Sequence, residues 1–177
     1  MSVWVKRAWA LAALVALCGL AGAQEKRGPS TAEERARFVA VAHKVEANPL
    51  DPSLKADARW ALNFLVAVPD IDVSLCSAPL GGTIGSHYKY EAELFGEYAL
   101  AMGAFVIEHP EKARDRGAVN LAGVESVLKA YQAIRKQEPK ATSAALDDLL
   151  EKQAKGKLGD FVQKATQEQC KDSAGTS

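Results

Sequence analysis

His43 and Glu46 stand three residues apart, the spacing that puts an imidazole and a carboxylate on one face of a helix, where both could ligate one metal ion. Zinc needs three or four protein or water ligands, and no third ligand is identifiable at a matching spacing. Lys44 also crowds the pair. Ser86-His87 sets a nucleophile beside a base. Adjacent residues, however, rarely bring a serine oxygen and an imidazole into the geometry that proton transfer requires. Gly81-Gly82-Thr83-Ile84-Gly85 could wrap an anion with its amides, but it lacks the lysine and the strand–loop–helix setting of a phosphate cradle. His109 is the remaining imidazole. The chain contains no His-Glu-x-x-His, no Gly-x-Ser-x-Gly, no Gly-Lys-Ser/Thr loop and no paired Glu-x-x-His.

No catalytic residue, metal ligand or cofactor is therefore assigned from the sequence. The expectation is a non-enzymatic binding domain that contacts another envelope or secreted protein. Its candidate contact loop is Gly81, Gly82, Thr83, Gly85, Ser86 and His87, within the irregular stretch 77–87. Long irregular loops in small domains often carry function. The alternative is a small metal-dependent or hydrolytic enzyme using His43, Glu46, His87, His109 or that same loop. Glu93 and Glu97, one helical turn apart, read as a solvated helix edge.

The destination of the chain comes from residues 1–23. Lys6 and Arg7 precede an apolar run from Ala8 to Leu20, and Ala21-Gly22-Ala23 offers a small-x-small cleavage site before Gln24. The run is shorter than the roughly 20 apolar residues of a spanning helix. A signal peptide is the expectation, with a periplasmic or secreted product and no stable membrane span in the mature form. Leu17 stands before Cys18, where a lipoprotein signal would have a small residue, and no arginine pair marks the twin-arginine route. Cleavage leaves two cysteines, Cys76 and Cys170. An even count in an oxidising compartment predicts a disulfide between them. Neither belongs to a Cys-x-x-Cys, so redox chemistry is not expected.

Composition bounds the rest. The 177 residues are 48% hydrophobic, with 22 basic and 22 acidic side chains. This is the balance of a globular domain, not of a disordered or polytopic chain. A near-zero net charge removes the usual electrostatic case for nucleic acid. The pattern predicts an all-α single domain over 30–170, an irregular bundle of five to six helices. It follows a polar leader at 24–29 and precedes a flexible tail at 171–177.

The helices are punctuated by proline. Ser30 with Glu33 reads as a capping box for the first, which ends at Asn48-Pro49. Asp51-Pro52 opens a second, stopped by Pro69. Ile71–Leu75 alternates apolar and polar residues and is expected to be an extended connector. From about Tyr88 to Glu108 runs the most apolar helix, with Phe95, Tyr98, Ala99, Met102, Phe105 and Val106 on one face. A helix apolar around most of its circumference belongs at the centre of a bundle. Gly96 and Gly103 are expected to let a neighbour approach closely. A charged turn at 110–116 leads to a helix over about Ala118–Lys136. Thr142 or Ser143 caps the next, and Gly156 with Gly159 divides it from the last.

Cys76-Ser-Ala-Pro79, then Glu108-His-Pro-Glu-Lys112, then Leu128-Lys-Ala-Tyr131 form a series similar to that of the exported, helical Tai-type immunity proteins of bacterial toxin systems. The likeness spans about a third of the mature chain. The intervening segment is longer here, and the cysteine that closes the family's last helix is absent after Tyr131. What the resemblance implies is an exported protein that neutralises another protein by binding it.

Overall fold

The computed structural model describes residues 27–170. The expected signal peptide, the first three residues of the leader and the tail lie outside them. Within the described residues the chain is all-α, with no strand: α1 Ala32–Ala47, α2 Lys55–Ala67, α3 Glu91–Glu108, α4 Arg116–Gln137, α5 Ala144–Ala154 and α6 Leu158–Gln169. Single 3-10 turns sit at Pro52–Leu54, Ala78–Leu80 and Pro110–Lys112.

The start of α1 lies one residue later than the sequence suggests. Thr31, not Ser30, is the N-cap: its hydroxyl accepts from Glu34 N at 3.2 Å, and its own N–H donates to Glu34 Oε2 at 2.9 Å. Ser30 is engaged elsewhere. Its N–H and hydroxyl donate to Asp70 at 2.9 and 2.8 Å, and Arg35 donates to both Asp70 and Ser30 at 2.7 Å. The Ser30 backbone donor is the main reason the Asp70 carboxyl is held down to about 2. This clamp ties the entry of α1 to the exit of α2 before the extended stretch 71–76 begins.

Burial then orders the helices. α3 packs on α1, α2 and α4, and α4 in turn meets α1, α5 and α6. Phe38 of α1 and Phe64 of α2 stack with ring centroids 5.3 Å apart, both buried. Gly103 lies beneath them: a Cβ there would stand 2.7 Å from Leu65 Cδ2 and 2.9 Å from Phe38 Cζ, so only glycine admits that approach. Gly96 is different, since its nearest neighbour would be an ordinary 3.9 Å away. The tightest α3–α4 contact comes from α4, where a Cβ on Gly123 would meet the Tyr98 ring at 2.6 Å. Tyr98 is fully buried and donates its hydroxyl to Asn120 Oδ1, whose Nδ2 donates to Arg116 O at 2.8 Å.

Three expectations about these helices need correction. Phe95 and Phe105 are only half-buried, and the fully buried rings are Phe38, Tyr98 and Tyr131. The apolar surface of α3 is wider than its neighbours can cover, so its edge aromatics remain partly in water. Glu97 is not on a solvated edge with Glu93. Glu93 is exposed, whereas Glu97 is 1% exposed, because it falls in the seam with α4. Gly159 lies inside α6, and the break before that helix is at Gly156 alone, with φ +67°.

The C-terminal end is pinned. Cys76, at the end of the extended stretch, and Cys170, capping α6, stand at disulfide distance, with Cα atoms 5.7 Å apart. Arg116 Nη2 also donates to Cys170 O at 2.7 Å. Both contacts hold α6 against α4 and the Ala78–Leu80 turn.

Candidate functional site

The irregular stretch 77–87 divides into two halves with different roles. In the first, Leu80 is buried, and buried Thr83 donates its hydroxyl to Leu80 O at 2.6 Å. Gly81 adopts φ +60° and lies against Leu149 of α5. Gly82 and Gly85 also take positive φ, at 85° and 84°. The Ala78–Leu80 turn packs against α5 and α6, whereas Gly82 and Gly85 are exposed. In the second half the backbone turns outward. His87 has φ 60°, the left-handed region that a non-glycine residue enters at a cost, and its side chain is exposed.

His87 forms the lip of an open groove of about 660 Å³. One wall is Ser86–Lys89, and the other is Glu138 with Lys140–Ala145, the linker from α4 into the first turn of α5. Tyrosines fix the two walls relative to each other. Tyr88 donates to Ala141 O at 3.2 Å and meets the Tyr131 ring edge-on at 5.9 Å. Tyr131 accepts from Ser143 N and donates to Asp147 Oδ1, both at 2.9 Å. Ser143, the N-cap of α5, is thus the one of the two candidate caps that serves.

The electrostatics follow from these contacts. Lys89 Nζ donates to Glu138 Oε2 at 2.8 Å, and Tyr90 donates to the other oxygen of Glu138. The Glu138 bond raises Lys89, while the Lys89 bond lowers Glu138, so both stay ionised around neutral pH. Burial pushes the Tyr88 phenol up to about 12 and keeps it a neutral donor. The groove therefore carries an ion pair that bridges its two walls, with the exposed Lys140 ammonium and Thr142 hydroxyl on the 138–145 wall.

The remaining candidate residues do not converge. His43 Nε2 is 3.1 Å from Glu108 Oε1, and Glu46 instead pairs with Lys129 Nζ at 3.4 Å. His109 lies against the Phe105 ring, with its Nδ1 3.7 Å from Glu111. Ser86 donates its hydroxyl to Thr83 O at 2.6 Å rather than facing the His87 ring as a nucleophile would. Among the described residues no group of three His, Cys, Asp or Glu side chains could hold a metal ion. The linker 138–145 was invisible as a site residue by residue: it reads as a helix break at Pro139. Long-range contacts bring it to the loop: Tyr88 to Ala141 across 53 residues, and Lys89 and Tyr90 to Glu138.

No protein family, curated protein or solved structure matches the chain.

Proposed function

We propose that this chain is an exported, disulfide-bonded helical domain that binds another envelope or secreted protein through the groove between Ser86–Lys89 and 138–145. The observation that carries the reading is the left-handed, exposed His87 on the lip of a groove whose walls are fixed by Tyr88 and Tyr131. Backbone strain held in place by surrounding structure is typical of binding sites. Among the described residues no helix is long and apolar enough to cross a membrane, and the Cys76–Cys170 pair suits an oxidising compartment. His43 pairs with Glu108, His109 lies by Glu111 and Phe105, and His87 is exposed on the groove, so the three imidazoles stand at separate places.

The test is capture with a built-in control. The chain from Gln24 to Ser177 is immobilised, exposed to an envelope extract, and its retained proteins are identified by mass spectrometry. Lys140→Glu combined with Thr142→Arg reverses a charge and fills the groove without touching a buried group. Lys164→Glu on α6 changes an exposed charge elsewhere. The expected result is a discrete protein held by the native chain and by Lys164→Glu but lost with the groove variant. Capture that survives the groove changes contradicts the proposal. The intact mass of the exported form is expected to start at Gln24, and recovery of an intact Met1 or Ser2 speaks against export.

A further inference from the structure

Glu97 is the one Asp, Glu, Lys, Arg or His among the described residues that is buried. It sits in the α3–α4 seam, and its carboxyl has a single hydrogen bond: Ser126 Oγ donates to Oε1 at 2.7 Å. Oε2 is buried with no hydrogen-bond partner. An ionised carboxylate needs several donors to offset the loss of water, whereas a carboxylic acid tolerates such a site. One neutral hydroxyl is far short of that.

The charges facing it do not rescue the anion. From α1, Glu46 opposes ionisation, and from α4, Lys129 favours it; α2 brings no charge that acts on it. Lys129 is itself engaged with Glu46 at 3.4 Å, so each largely cancels the other. Burial dominates and pushes the Glu97 carboxyl up to about 8, against 4.5 for an ordinary glutamate.

We propose that Glu97 is a proton-operated lock of the helical core, seating α3 against α4 and α1 when it carries its proton and loosening that seam when it loses it. The seam is close-packed at Gly123 against Tyr98, one turn from Ser126 on α4. Water or the Lys129 ammonium must come inward, and α1, which carries Glu46, is the neighbour displaced.

The thermodynamic signature has a definite sign. Below about 4.5 both folded and unfolded chains hold the proton, and the stabilisation relative to an ionised Glu97 is complete. Between about 4.5 and about 8 only the folded chain holds it, so the folding equilibrium constant falls about tenfold per pH unit. Above about 8 the folded chain releases it too, the slope vanishes, and the seam opens.

Glu97→Gln keeps the shape and the neutral charge of the protonated acid and removes its ionisation. Denaturant titrations across pH 4 to 9 are expected to give a native-to-variant ratio of folding constants that falls by about a thousandfold over that window. Parallel profiles would overturn the proposal. A second measurement needs no variant. The side-chain carbon resonance of Glu97 in the folded native chain is expected to titrate near pH 8, with amide protection in α1 and α4 dropping over the same range. Titration at or below 4.5, or protection that does not change through the midpoint, would overturn it as well.

Discussion

Phe38→Ala is expected to destabilise the protein by about 3–5 kcal/mol, the cost of emptying a fully buried aromatic site. Phe38 is completely buried, its ring is 5.3 Å from Phe64, and it fills the gap opened by Gly103. No neighbour can collapse into the space without breaking the α1–α2–α3 junction. Phe95→Ala is expected to cost less, about 2 kcal/mol, since that ring is only partly buried at the edge of the core. Urea denaturation of the two variants beside the native chain checks both values. Equal costs would mean that the core does not lie where α1, α2 and α3 meet.

The second large effect concerns Cys76 and Cys170. Replacing both by serine is expected to cost about 2–5 kcal/mol, because a bridge across 94 residues removes much of the freedom of the unfolded chain. The loss should fall first on α6. That helix is short, buries only Leu158, Val162, Ala165 and Thr166, and follows the break at Gly156. Its amides are expected to lose protection before those of α3. Thiol counting on the denatured, non-reduced chain from Gln24 to Ser177 should find none free. Two free thiols, or a serine variant as stable as the native chain, would contradict the bridge.

Much of the fold was legible because proline and capping residues mark helix ends locally. Pro49, Pro52, Pro69, Pro110 and Pro139 each fall between helices, and Asp51, Asp115 and Ser143 accept from backbone N–H groups at helix starts. The errors occur where a distant contact overrides a local preference. Ser30 has the right chemistry to cap α1, but Asp70, 40 residues away, takes its hydroxyl and amide. Glu97 shares a helical edge with Glu93, and only the approach of α4 makes one buried and the other not. Phe95 and Phe105 satisfy the apolar period of α3 as well as Tyr98 does, and the period does not say which face meets a neighbour.

The site was legible by half. Ser86 and His87 stand on the groove, as an irregular glycine-rich stretch suggests, while Gly81 and Thr83 are folded into the scaffold. Their polarity and conformational freedom look the same in the sequence. The opposite wall, Lys140–Ala145, carries no motif of its own. It becomes part of a site only because Tyr88 and Tyr131, from elements far apart in the chain, hold it there.

The central claim, that this groove binds another exported protein, is tested most directly by photo-crosslinking in the producing cell. A photo-reactive side chain is placed at position 142 on the groove wall and, separately, at position 164 on α6. A discrete adduct is expected from position 142, absent when Lys140→Glu is added, and none from position 164. No adduct from 142, or the same adduct from both positions, would contradict it.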